Sequence, residues 1–272
     1  MAGQIWIGTS GWVYPHWRKG AFYPQGTTQK KELGYLSARV RSVEINASFY
    51  SLQKPSSYES WSAQTPEDFV FAVKGSQFVT HMKRLLNPEV TLPNFFASGL
   101  LALGPKLGPI LWQLPPNFRF DVDRVTAFLD ALPRTTAEAA ALAEHHDERL
   151  DGRAHTTTDA DRPLRHAFEV RNPTFVCQEF TDLMREKEAA IVVASAAGEW
   201  PQIEEVTADF MYLRLHGDED VYSSGYPAKA LDDWARKIRA WRRSGDVYAY
   251  FDNDAEGHAP HDAQKLLSRL ER

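Results

Sequence analysis

The chain alternates short apolar runs with longer stretches in which apolar residues recur every three or four positions. Eight of the short runs have strand character and end in polar, Gly or Pro punctuation. They are Gln4–Thr9, Arg41–Asn46, Phe69–Lys74, Pro109–Gln113, His166–Arg171, Ala190–Ser195, Phe210–His216 and Val247–Asn253. Helical spacing covers 28–39, 55–62, 94–103, 122–132, 137–150, 178–187, 229–243 and 258–270. In the stretch 229–243, Leu231, Trp234, Ile238 and Trp241 form one apolar stripe. Strand followed by helix, eight times over, predicts a parallel sheet. At 272 residues the chain has the length of a (β/α)8 TIM-type barrel. An open doubly wound sheet would favour a G-x-G-x-x-G turn after the first strand, and "GTSGWVYP" is not one. The polar segment 151–163 reads as a surface loop within one α/β barrel domain spanning 1–272.

The polar exceptions on these runs carry the chemistry. Side chains two apart on a strand share a face. Arg214 and His216 are such a pair, as are Glu44 with Asn46 and Glu169 with Arg171. Lys74 and Gln113 end the third and fourth runs, and the eighth runs into Asn253 and Asp254. In a parallel barrel the strand C-termini face one mouth, where catalytic groups gather. Arg171, Arg214 and Lys74 are therefore candidates to bind a carboxylate or phosphate. His216, with Glu44 or Glu169, is the candidate acid–base pair. A structural alternative exists, in which Glu44 and Glu169 form buried ion pairs with Arg214 and Lys74 inside the pore.

Aromatic residues crowd the same mouth. The loop after the first strand holds Trp12, Tyr14, Trp17, Phe22 and Tyr23; Phe49, Tyr50, Tyr222 and Tyr226 follow other strands. Trp12 and Tyr14, nearest the strand end, are the candidates for stacking on a ligand; packing the loops onto the rim is the structural alternative for the rest.

Composition narrows the classes. A net charge of −5 argues against non-specific nucleic-acid binding. The single Cys177 permits no intrachain disulfide, and the N-terminus has no signal-peptide pattern, so a cytoplasmic location is expected. No apolar run is long enough to span a bilayer. A divalent metal on Glu44, Glu169, His216 and Asp254 is a competing use of the mouth, although no H-x-H, H-E-x-x-H or Cys cluster supports it. His145 and His146 are adjacent on an expected helix and so face different ways.

The motifs "IGTSGW", "FYP" (22–24), "VEINASFY" (43–50), "FVFAVKGSQFVTH" (69–81), "GPILWQLPPNF" (108–118), "FEVR" (168–171), "DFMYLRLHG" (209–217) and "VYAYFDND" (247–254) occur in that order. Together they resemble the YecE-like family, domain of unknown function 72, from about residue 5 to 268. The resemblance implies a TIM-type barrel and assigns no reaction. Its polar motif positions fall here on Glu44, Asn46, Lys74, Thr80, His81, Gln113, Glu169, Arg171, Arg214, His216 and Asn253. This chain departs from the family pattern with Asn172 and Phe175 after strand five, where His and Trp are common, and with Ser195 after strand six, where Asp is frequent.

Three functions follow as expectations. The first is an enzyme, a hydrolase before a lyase or isomerase, acting on an anionic small molecule. The second is a metal-dependent phosphodiesterase or nuclease. The third is a non-catalytic module for a nucleotide, RNA or protein.

Overall fold

The computed structural model describes residues 2–271. Eight parallel strands close into a barrel in sequence order: β1 (Ile5–Ser10), β2 (Ser42–Ile45), β3 (Val70–Lys74), β4 (Leu107–Gln113), β5 (His166–Glu169), β6 (Ala190–Ala196), β7 (Phe210–Gly217) and β8 (Asp246–Phe251). The ring closes where β1 pairs with β8, Ile5 opposite Val247 and Thr9 opposite Phe251. Each strand falls within two residues or so of its predicted run.

Alternation along the strands divides the apolar residues into two cores. Outward side chains such as Ile7, Val43, Val73, Trp112, Phe168, Val193 and Leu213 join the helices in the main cluster. Inward ones, among them Ala72, Leu111, Ala167, Val192, Phe210, Tyr212, Tyr248 and Tyr250, fill the barrel in a separate cluster. Both strand faces are buried, which explains the near-continuous apolar reading of the runs.

The outer layer comprises α1 (Gln29–Ser37), α2 (Ala47–Tyr50), α3 (Pro55–Ala63), α4 (Pro88–Ala97), α5 (Val122–Ala131), α6 (Thr136–Ala143), α7 (Gln178–Glu186), α8 (Ala228–Trp241) and α9 (Ala259–Leu270). Three expectations are corrected. The helix expected over 94–103 is α4, which starts six residues earlier with Pro88 in its first turn. It ends before Gly99, whose φ of 113° favours glycine and whose Cβ, if present, would lie 2.5 Å from Pro55 Cα. The helix expected over 137–150 stops at Ala143 and resumes only as a 3-10 turn at Glu148–Leu150. The sixth strand–helix unit has no helix: residues 197–209 connect β6 to β7 as an irregular loop. The segment 151–163 is also irregular and mostly exposed, pinned by His155 N–H to the Ala97 carbonyl (2.8 Å).

Candidate functional site

The inward positions of the pore change character along its axis. Near the N-terminal end Trp6 stacks on Tyr248, ring centroids 4.7 Å apart, and Phe210 packs edge-on to Tyr248. One inward position further on, Tyr212 and Tyr250 face each other. At the C-terminal end the same alternation presents Ser10, Glu44, Lys74, Gln113, Glu169, Arg214 and His216.

Arg214 is the centre of this polar layer and is 1% exposed. Its Nε and one terminal nitrogen donate to both oxygens of Glu44 (3.1 and 2.9 Å). The other terminal nitrogen donates to Glu169 Oε2 (2.6 Å), and a further bond reaches Asp252 Oδ2 (2.9 Å). Glu44 also accepts from the Tyr212 hydroxyl (2.6 Å) and Ser10 Oγ (2.9 Å). These bonds compensate the desolvation of a fully buried charge cluster. The structural alternative raised from the sequence is therefore what Glu44, Glu169 and Arg214 form, while Lys74 stays outside it. The assignment of Arg214 as a free anion grip is revised, because each of its three nitrogens already donates to a carboxylate.

Asp252 was missed from sequence. It follows β8 with the parity of Tyr248 and Tyr250 and so points inward, which the alternation rule alone could have shown. Burial opposes its charge, but Arg214 and His216 outweigh that and hold its carboxyl down at about 2. Glu169 lies well below the usual carboxylate range; burial works against its charge, and Arg171 and Arg214 overcome it. By the same parity Asn253 points away: its amide donates to Ser224 O and Asp262 Oδ2 (3.0 Å each), so its expected contact with a ligand is not what its position provides.

His216 is fully buried. Its Nδ1 lies 3.1 Å from Asp252 Oδ2 and its Nε2 3.6 Å from Glu169 Oε1, neither aligned as a hydrogen bond. Trp200 and Tyr222 cover its ring edge-on at 5.0 and 5.5 Å. Trp200 comes from the irregular β6–β7 loop, where no periodic signal marked it. Tyr222 sits at φ 68°, beyond Gly217, whose φ of 137° leaves no room for a Cβ (2.2 Å from Asp220 O).

Above the polar layer opens a cavity of about 1390 Å3. Lys74, His81, Gln113, Asn46, Arg171, Arg214 and Asp252 reach it, with Trp12, Tyr14 and Trp61 on an aromatic side. Glu44, Glu169, His216 and Asn253 do not line it. Arg171 lies over Trp200, Cζ 3.6 Å from the ring centroid, donates Nε to Glu169 Oε1 (2.7 Å) and one terminal nitrogen to the Tyr222 hydroxyl (3.3 Å), and leaves the other without a protein acceptor among the described residues. His81 stands on a π-helical turn, Phe78–Met82, a geometry often found at functional sites. Its Nδ1 is bonded to Thr80 Oγ1 (2.9 Å). Burial, then Lys74 and Arg171, push its pKa down. The Lys74 amine lies over the Phe49 ring at 4.3 Å. Burial and Arg214 lower it to about 8, although Glu44, Asp252 and Glu169 pull the other way. The Tyr14 hydroxyl donates to the Ser10 carbonyl and its pKa is raised by burial and by Asp252.

The proposed metal ligands do not assemble. Asp254 is turned aside to Trp17 Nε1 and His16 Nε2 (2.9 Å), and burial raises it to about 6. The Arg214 guanidinium occupies the space between Glu44 and Glu169. Among the described residues no three His, Cys, Asp or Glu side chains are grouped to hold a metal ion. No described helix is long and apolar enough to cross a membrane.

Comparison with known proteins gives the same architecture. A Thermotoga maritima DUF72 family protein of known structure superposes with a TM-score of 0.78 at 24% identity, over 99% of this chain and 100% of that one. The Escherichia coli UPF0759 protein YecE is 22% identical over 99% of this chain and 93% of its own length. The Bacillus subtilis UPF0759 protein YunF is 34% identical over 120 residues, 42% of this chain and 41% of YunF. The family model described as "Protein of unknown function DUF72" matches residues 6–272, so the chain belongs to the DUF72 family.

Proposed function

We propose that the protein is an enzyme acting on a small molecule that carries a carboxylate or phosphate, bound in the cavity at the C-terminal mouth. One observation carries this reading. In a layer where each nitrogen of Arg214 already donates to a carboxylate, Arg171 keeps a terminal nitrogen and Lys74 its amine without a protein acceptor among the described residues, and both side chains line the cavity. A guanidinium held over Trp200 and braced by Glu169 is preorganised for an anion. Gln113 and His81 add neutral polar groups, and Asn46 lies on the same wall.

The geometry also weighs the reaction classes. Hydrolysis was the first expectation, with His216 and a glutamate activating water. His216 lies beneath Trp200 and Tyr222, and neither it nor the glutamates line the cavity, so hydrolysis through His216 requires that cover to move. Lys74 and His81, beside Asp252, are titratable groups already in the cavity wall, which favours lyase or isomerase chemistry by proton transfer. The aromatic side supports a second reading, a nucleotide-like ligand with its ring on Trp12 or Trp61 and its phosphate on Arg171.

The test is a turnover screen of oxo-acids, sugar phosphates and nucleotides with the wild type, Arg171→Ala and His81→Ala. Loss of turnover in both variants with the fold intact is expected. Undiminished turnover in Arg171→Ala refutes the proposal. Tight nucleotide binding without turnover would favour the second reading.

A further inference from the structure

Two buried lysines make an informative pair. Lys106 is 9% exposed and its ammonium is fully provided for, donating to Ser62 O (2.6 Å), Thr65 O (2.8 Å) and Thr65 Oγ1 (3.1 Å). Lys74 is 8% exposed, yet among the described residues its amine has no hydrogen-bond acceptor and no carboxylate within 4.0 Å. Only the face of Phe49 supports it. An ammonium in this enclosed position, without protein acceptors and reached by solvent only from the cavity, is disfavoured relative to one in bulk water. The neutral amine avoids much of that cost and is also the nucleophilic form. The site therefore suits an amine that spends part of its time unprotonated, facing an open cavity with an anion grip beside it.

We propose that Lys74 is a covalent nucleophile, forming an imine with the carbonyl carbon of an anionic oxo-compound such as a 2-oxo acid or a phosphorylated aldehyde or ketone. The inference rests on the mouth being the substrate site and adds a carbonyl to the substrate's charge. The neutral Nζ attacks the carbonyl carbon to give a carbinolamine. The carbonyl oxygen then leaves as water with the two hydrogens of the amine, and a C=N bond replaces the C=O bond. No oxidant or reductant is consumed. His81 flanks the same Phe49 ring, 5.1 Å from it, and is the cavity-wall group assigned to relay the proton that the departing hydroxyl needs. The imine then serves as an electron sink for removing a proton or breaking a bond at the adjacent carbon. The groups that set the amine's charge are Arg214, which opposes protonation, and Glu44, Asp252 and Glu169, which favour it; His81 titrates beside it.

The full-length protein is incubated with glyoxylate at pH 7.5, reduced with sodium borohydride and mapped by peptide mass spectrometry. Lys74 should gain the mass of a carboxymethyl group roughly tenfold faster than exposed lysines such as Lys19 and Lys83, because its lowered pKa leaves far more neutral amine. Lys106 serves as the buried control. Lys74→Arg should lose the adduct while keeping its fold, read by circular dichroism and thermal unfolding. Lys74 unlabelled, or labelled no faster than exposed lysines, overturns the inference. Phosphate binding that Arg171→Ala abolishes, with Lys74 unlabelled, removes the imine alone and leaves the proposed function standing. Rapid labelling of Lys74 without phosphate binding supports the nucleophile and removes the anion grip.

Discussion

The lower and upper halves of the barrel interior are built from the same strands, two residues apart, and differ completely in chemistry. Along β7, Phe210 and Tyr212 give way to Arg214 and His216; along β3, Ala72 gives way to Lys74; along β5, Ala167 gives way to Glu169. Below, closure of the barrel is stabilised by apolar burial and stacked rings such as Trp6 on Tyr248. Above, closure depends on charge compensation, with three carboxylates against Arg214 and Arg171. The lower layer has its few polar atoms partnered, the Tyr212 hydroxyl by Glu44 and the Tyr250 hydroxyl by Ser42. The upper layer is satisfied around Arg214 but not around Lys74 and Arg171, and this asymmetry separates scaffold from site.

The largest expected effect breaks the charged half at its centre. Arg214→Met leaves Glu44, Glu169 and Asp252 buried without their shared cation and should cost about 3–5 kcal/mol in urea unfolding. A loss under about 1 kcal/mol would show that the network is dispensable. Phe210→Ala should cost a comparable ~3–4 kcal/mol by opening a void in the lower layer, while phosphate affinity is unchanged. A change in affinity there would mean that the halves are not separable.

Lys74→Met sharpens the comparison with the opposite sign. The folded pKa of Lys74, about 8, lies below its ordinary 10.5. The unfolded chain therefore binds more protons between these values, and the wild type loses its burden as pH rises from 8 to 10.5. The variant should be more stable than wild type by about 2–3 kcal/mol at pH 7, with the difference shrinking toward pH 10.5. Equal stability at both pH values would place an anionic partner on Lys74.

Acid should act on the upper half in the opposite sense. The folded pKa of Asp252, about 2, lies below its ordinary 3.8, so its contribution is complete above that value. It is lost as pH falls from about 4 toward 2, amounting to about 2 kcal/mol. In Asp252→Asn this part of the acid sensitivity should be absent from pH-dependent unfolding curves; undiminished sensitivity would assign it elsewhere. The smallest effect is expected for Trp200→Ala, which removes the platform under Arg171 and should weaken phosphate binding about threefold to tenfold in calorimetry. An unchanged affinity would show that Glu169 alone positions Arg171.

Period-two alternation made the strands, the closure and most of the mouth legible in the sequence. The same rule, carried one step past β8, separates Asp252 from Asn253; motif resemblance had put weight on Asn253. Patterning could not show that Arg214 and Lys74 have opposite fates. Both are cations on inward positions, and only the side-chain geometry reveals which one the carboxylates reach. Trp200 was hidden for another reason: the loop that carries it has no periodicity, and its cover over His216, shared with the Tyr222 already placed at the mouth, is a contact between loops that patterning does not show.

The most direct test of the account is isothermal titration of inorganic phosphate into wild type, Arg171→Ala and Phe210→Ala at pH 7. The account predicts saturable binding by wild type and Phe210→Ala, weakened about tenfold or more in Arg171→Ala as a charge-assisted grip is lost. Absence of binding to wild type, or equal affinity in Arg171→Ala, would contradict it.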